Sequence, residues 1–299
     1  MDPADGANAA GIFLTSANGI TTMTAQVQSQ SAYDVIVVGS GAGAMTSAVF
    51  LADHGLRVLI VEKSDKYGGT SAISGGGIWI PNNHYFARQG GNDSRELART
   101  YLQASAGEHV EPARLEAYLD NAPKMIEALT RKSHVRYAVA AKYPDYYPHL
   151  PGSLPGGRTL DPELFDTSLL EEELDNLRKP SPSTLLMGRI AWTARHAHKA
   201  MARSFGWRWL IMGLMLRYKL DFKWRRKSKY DRRAALGSSL VASLRRSLMD
   251  RKVPLWLNTD FRELLMKDGK VAGIVVQRNG QEQRIEARHG VIPVSYTHL

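Results

Sequence analysis

Between Tyr33 and Glu62 an apolar strand, a glycine-rich turn, a helix and a second apolar strand follow one another within about 30 residues, and this order constrains the fold more than any other feature of the chain. Tyr33-Asp-Val-Ile-Val-Val38 is short, apolar and β-branched, the composition of a strand buried on both faces of a parallel sheet. Met45, Ala48, Val49 and Ala52 recur at helical spacing over Ala42–His54, and Gly55 suits the residue just past a helix end. Arg57–Glu62 supplies the second strand.

The turn itself, Gly39-Ser40-Gly41-Ala42-Gly43-Ala44, matches the dinucleotide-cradling pattern G-x-G-x-x-A in its required context. Gly39 permits the tight turn. Gly41 lets backbone approach a pyrophosphate with no Cβ in the way, and Ala44 lets helix and strand pack closely. Phosphate charge then sits at a helix N-terminus, where unpaired N–H groups point outward. Glu62 ends the second strand about 20 residues on, where a carboxylate accepts ribose hydroxyls and disfavours a 2′-phosphate. Next come Lys63, then Gly68-Gly69-Thr70-Ser71, then Ser74-Gly75-Gly76-Gly77. These offer a second set of backbone N–H groups and hydroxyls for another phosphate and a ribityl chain, and glycines that let main chain pass a flat ring. This segment points to FAD rather than NAD as the cofactor.

Further along, Glu111-Pro112 opens a helix whose stripe is Leu115, Tyr118, Leu119, Ala122, Ile126 and Leu129, with Pro123 as its kink. Residues 143–183 are dense in proline and glycine and predict an excursion of loops, with Glu171-Glu172-Glu173 as a solvated helix start. Residues 184–220 are expected to be helical again, with Trp207, Trp209, Met212 and Met215 as core. Leu236–Arg251 reads as a helix and Val253–Asn258 as a strand. Phe261–Lys267 and Val271–Arg278 flank Asp268-Gly269, a hairpin turn, and Gln283–Ala287 adds a third strand. Another buried strand starts at Gly290 and breaks at Pro293. The expected fold is therefore α/β, a Rossmann-like FAD-binding domain over 32–292 with a parallel sheet, a β-hairpin meander and a helical, proline-rich excursion over 136–235.

Composition narrows the chemistry. At 43% hydrophobic and 23% charged residues the 299-residue chain is globular. It has no cysteine, which excludes disulfides, thiolate metal sites and a catalytic thiol. The net charge of +10 is concentrated in Lys223–Arg233. The bland reading is a solvated basic face; the functional one is peripheral contact with an anionic membrane through 205–233, and nothing else in the chain supports nucleic-acid binding. Phe205–Leu220 is interrupted by Arg208, Arg217 and Lys219 and reads as a buried or interfacial amphipathic helix, not a span. His196 and His198 form a His-x-His without further ligands nearby, so a capping or surface role is expected and no metal. No signal peptide is apparent, residues 1–31 read as a disordered polar tail, and a cytoplasmic location is expected. Pro293–Leu299 reads as a non-native appended scar, with the natural protein continuing beyond it.

Val61–Asn83, with Tyr-Gly-Gly-Thr-Ser, Ser-Gly-Gly-Gly and Ile-Trp-Ile-Pro-Asn-Asn, resembles the 3-ketosteroid Δ1-dehydrogenase group of the fumarate reductase/succinate dehydrogenase flavoprotein superfamily. Tyr143-Pro-Asp-Tyr-Tyr-Pro148 carries the same likeness, which continues more weakly to Ile292. The resemblance implies non-covalent FAD in a glutathione-reductase-type domain, a steroid substrate and an external electron acceptor. It implies 1,2-desaturation of a 3-keto steroid, in which a tyrosinate takes the α-proton and flavin N5 the hydride. It places one active-site tyrosine, a helper of the base, in Tyr146-Tyr147, with Tyr147 preferred, and the remaining catalytic tyrosines in a domain beyond residue 292. An enoate-reducing flavoprotein and an inert FAD-binding fragment are the alternatives.

Overall fold

A computed structural model describes residues 30–294. Of the tail expected over 1–31, residues 1–29 lie outside the described residues, as does the end of the appended segment, 295–299. The chain opens with β1 (Gln30–Val38), so the last residues assigned to the tail belong to a strand. Helix α1 (Ala42–Asp53) and β2 (Val58–Val61) complete the expected crossover, and Gly55 takes the left-handed conformation (φ 77°) just past the helix.

The segment that follows forms β3 (Ile78–Trp79), α2 (His84–Ala87), α3 (Arg95–Ala106) and α4 (Pro112–Lys132). In α4 the expected stripe is buried except for Tyr118, which lies outside the core and stacks on Trp79 with ring centroids 6.3 Å apart. The strands in the first part of the proline-rich excursion are short: β4 (Tyr137–Val139), β5 (Thr159–Pro162) and β6 (Phe165–Asp166). The three glutamates do not start a solvated helix. They sit in a kinked 3₁₀ run where Glu171 has φ 53°, and Glu173 pairs with Arg245 at 3.0 Å.

Residues 184–220 are less helical than expected. Only α5 (Ala194–Met201) and α6 (Trp207–Leu220) form there, before the short α7 (Phe222–Arg225) and β7 (Arg233–Ala234). His196 closes a capping box at the start of α5, its N–H donating to Thr193 Oγ1 at 3.2 Å. In α6 only Leu214 is fully buried, whereas Trp209 and Met212 are exposed, so this group is not core. The physical reason lies in the pattern: apolar residues occupy nearly every side of α6, and among the described residues too little protein surrounds the helix to cover them.

Helix α8 (Leu236–Asp250) is the central helix, buried along most of its length. After it come β8 (Leu255–Trp256), shorter than expected, and the hairpin β9 (Thr259–Lys267) and β10 (Lys270–Arg278), closed by Asp268 and Gly269 at φ 51° and 73°. The two last expected strands are one, β11 (Gln281–Pro293). Its first half pairs antiparallel with β10 and its second half parallel with β1, giving a mixed sheet in the order β8-β2-β1-β11-β10-β9. Strands β8, β2, β1 and β11 are parallel; β10 and β9 are the antiparallel meander. Pro293 does not break the strand before it. It pairs in register with Val38, and by that point β10 has ended, so the missing N–H falls on an unpaired edge. A second sheet, β3-β5-β4, stands apart and forms one wall of the site.

Candidate functional site

Strand β1 delivers the chain to Gly39 (φ 101°), and the turn ends at Gly41, which caps α1. The first turn of α1 carries no acidic residue, and Met45 is the first residue to bond back, to Gly41 O at 3.0 Å. The N–H of Ala42 donates to Ser71 Oγ at 3.0 Å, and those of Gly43 and Ala44 have no helical acceptor. Ala44 is fully buried against the sheet, as its small size predicts.

Ser40 ties this turn to both later segments. Its N–H and Oγ donate to Glu62 Oε2 at 3.1 and 2.5 Å, and its Oγ accepts from Gly68 N–H at 3.0 Å. Ser64 N–H donates to Glu62 Oε1 at 3.0 Å. Three of about four acceptor positions on this buried carboxylate are thus used. A ribose diol would share Glu62 with, or displace, the Ser40 hydroxyl. Lys63 and Thr70 are exposed.

Gly68 and Gly69 adopt φ 110° and 51°, conformations that favour glycine, and a Cβ on Gly69 would come within 4.0 Å of Gly41 Cα. Two glycine turns therefore lie back to back with no side chain between them. This is a cradle for a bulky anionic group, and it fits FAD in its donor set: free helix N–H groups, hydroxyls at Ser40 and Ser71, and a carboxylate at its edge. Ser74 is engaged within its own turn, its Oγ donating to Ser71 O at 2.8 Å and accepting from Gly76 N–H at 3.0 Å.

The loop carrying Gly75–Gly77 rests on the start of α8. Gly237 N–H donates to Ser74 O at 3.0 Å, Ser238 Oγ donates to Ala72 O at 2.9 Å, and a Cβ on Gly237 would lie 1.9 Å from Ser71 O. Gly237 and Ser238 are functional-loop supports that the sequence reading missed. Their signal was a Gly-Ser-Ser at a helix start, which reads like any helix beginning.

Beyond the loop opens a cavity of about 1150 Å³. It brings Gly75 and Gly77 together with Tyr146 and Tyr147, and its walls include Ile78, Trp79, Tyr101 and Val139. The cradle residues Gly39 to Ala44 and Glu62 do not line it. Both tyrosines present exposed rings to this space; Tyr147 is further held by its N–H, which donates to the Tyr101 hydroxyl at 3.1 Å. Asp161, also missed from sequence, lines the cavity beside Gly77. Burial pushes its carboxyl above the usual range, against the pull of Arg195 and His198. Among the described residues no cluster of His, Asp and Glu is arranged to hold a metal.

Residues 34–295 match a protein family described as an FAD binding domain. The chain belongs to that family. Its cofactor is FAD. Over 262 residues the chain is 43% identical to the 3-oxosteroid 1-dehydrogenase of Comamonas testosteroni, covering 87% of this chain and 46% of that protein. The crystal structure of the 3-ketosteroid Δ1-dehydrogenase from Sterolibacterium denitrificans, in complex with 1,4-androstadiene-3,17-dione, overlays with a TM-score of 0.85 at 50% identity, over 88% of this chain and 47% of that one. An open-conformation flavocytochrome c3 fumarate reductase overlays with a TM-score of 0.54 at 15% identity, over 89% of this chain and 34% of that one, and so shares the fold. The chain spans about half the length of the relatives it matches.

Proposed function

We propose that this chain is the FAD-binding part of a flavoenzyme that dehydrogenates a 3-keto steroid, introducing a 1,2 double bond. The observation that carries the reading is the shared cavity, where the glycine loop and the paired tyrosines face one apolar space large enough for a fused-ring ligand. Its similarity to two steroid dehydrogenases supports the choice of substrate. We assign residues 32–292 to this domain, with 136–235 as the excursion that builds the cavity wall.

Bound FAD supplies a two-electron acceptor for the hydride that leaves the substrate. In this reading the N–H groups of α1's first turn and the loop at Gly68-Gly69 would bind its phosphates, Thr70 and Ser71 its ribityl chain, and Glu62 its ribose. Gly75–Gly77 admits the ring with no side chain between it and the cavity. Ile78, Trp79 and Val139 exclude water, which strengthens every polar contact made inside. The Tyr147 hydroxyl, with Tyr146 as its alternate, hydrogen-bonds the base that takes the proton α to the ketone. An external acceptor would be needed to reoxidise the cofactor after each turnover.

The test is a purified protein in two assays. A flavin absorbance band that survives gel filtration is expected of this chain, together with dye reduction that depends on a 3-keto steroid in a protein of its relatives' full length. Turnover of fumarate with none of steroid overturns the substrate; a colourless folded protein overturns the cofactor assignment.

The exposed face of α6 supports a second element of the reading, peripheral contact with an anionic membrane. Phe205, Trp209, Met212, Leu216, Leu220 and Phe222 are all exposed, and Lys223, Arg226 and Lys227 pair with no carboxylate among the described residues. No helix among the described residues is long and apolar enough to cross a membrane. Salt-sensitive binding to phosphatidylserine vesicles, lost in Trp209→Ser, is expected; equal binding to neutral vesicles overturns the electrostatic part.

A further inference from the structure

We propose that Arg158 is a positioning residue for the Tyr146-Tyr147 segment, acting through Asp145. The inference rests on the reading above, that this segment faces the substrate. Arg158 is only 1% exposed and does not line the cavity, so it touches no ligand there. A guanidinium so deeply buried persists only if its charge and its fork of N–H groups are fully matched. Its Nη2 and Nε donate to Asp93 at 2.7 and 3.0 Å, and its Nη1 donates to Asp145 Oδ2 at 2.8 Å and to Gly152 O at 3.0 Å.

Two routes lead from this one group to the cavity wall. The first is polar. The buried Asp145 carboxylate accepts from Arg158, from Trp79 Nε1 at 2.7 Å and from Leu154 N–H at 2.8 Å, which fixes the residue directly before Tyr146. The second is aromatic. The guanidinium carbon lies 5.6 Å from the ring centroids of both Trp79 and Tyr101, and the Tyr101 hydroxyl accepts the N–H of Tyr147. Trp79, Tyr101, Tyr146 and Tyr147 all line the cavity. The rings of Tyr146 and Tyr147 make few contacts of their own, so their placement depends on this backbone anchoring.

Asp93 sits on the other side of Arg158 and also accepts from Asn82 N–H at 2.7 Å. It shares the guanidinium but has no direct bond to the tyrosine segment, which makes it the control. Three variants of the full chain, Asp145→Asn, Arg158→Lys and Asp93→Asn, are compared by amide hydrogen exchange at Tyr147, flavin content, and affinity for 1,4-androstadiene-3,17-dione read from tryptophan fluorescence. Asp145→Asn and Arg158→Lys are expected to speed exchange at Tyr147 and weaken steroid affinity, each by about tenfold, with flavin content unchanged. Asp93→Asn should move both readouts far less. Equal effects from Asp93→Asn and Asp145→Asn reduce Arg158 to general support of the fold and overturn the proposal, as does unchanged exchange at Tyr147 in Asp145→Asn. If Arg158→Lys fails to fold, the near-isosteric Asp145→Asn still decides. A wild-type protein that binds no steroid overturns the substrate reading instead, and the exchange contrast still judges the role of Arg158.

Discussion

At the cradle, between Gly39 and Gly69, the site is made of backbone: left-handed glycines, helix N–H groups and one carboxylate held by Ser40. At the cavity wall it is made of side chains: aromatic rings drawn from β3, α3 and the loop before β5, backed by a buried arginine and its aspartates. The cradle is local, with all its parts within one crossover and the loop after it. The wall joins residues such as Trp79 and Asp145, 66 positions apart. A backbone site tolerates little added volume and has few side chains to lose. A side-chain site tolerates volume better and fails when one member of a charge network is removed.

That contrast can be broken in four places. The largest effect is expected from Gly237→Ala, whose Cβ would collide with Ser71 O in the loop below the cradle. A loss of about 3 kcal/mol in thermal or urea unfolding is expected, with flavin released. A stable, yellow Gly237→Ala protein would show that the loop yields more than its packing suggests. Next is Glu62→Gln, which replaces a charged acceptor of Ser40 by an amide. FAD affinity should fall by roughly 30-fold, about 2 kcal/mol, in a fluorescence titration. Steroid affinity that fell with it in the FAD-loaded protein would erase the division between cradle and wall.

Tyr147→Phe should do the reverse, lowering steroid turnover about tenfold at constant flavin content in a protein of its relatives' full length, while Tyr146→Phe does less. The larger loss in Tyr146→Phe would exchange the roles of the two. The smallest effect belongs to a region remote from both. Asp53 at the end of α1 is held below the usual carboxylate range mainly by its hydrogen bond from Arg251 at 2.7 Å, with Lys132 adding to it. Because the folded state lowers this pKa, the contribution is present above the unfolded value near 3.8 and is lost as pH falls through the depressed folded value. Asp53→Asn should be slightly less stable than wild type at neutral pH, and the gap should close in acid. A gap that widened in acid would reverse the sign argued here.

The fold was legible wherever a local pattern had one physical solution. The β-branched runs at 33–38 and 58–61, the glycines at 39 and 41 and the Asp268-Gly269 hairpin each demand a backbone conformation that few other residues permit. The reading went astray where a pattern had two solutions. Trp209 and Met212 suit a core and an exposed apolar face equally, and what decided for exposure is that no element among the described residues covers that face of α6. Strand β11 looked like two strands because its two halves meet different partners, β10 on one side and β1 on the other.

By itself, the sequence of this protein determined the first crossover, with a glycine turn at a helix terminus and an acid at the end of the next strand, because these features act through the backbone that immediately carries them. Only the tertiary structure decided what faces that cradle. The cavity wall depends on a buried guanidinium finding Asp93 and Asp145 across the fold, and on Gly237 letting α8 press against the loop. Desolvated charge and close packing are properties of what surrounds a residue, and the linear order of residues does not state the surroundings.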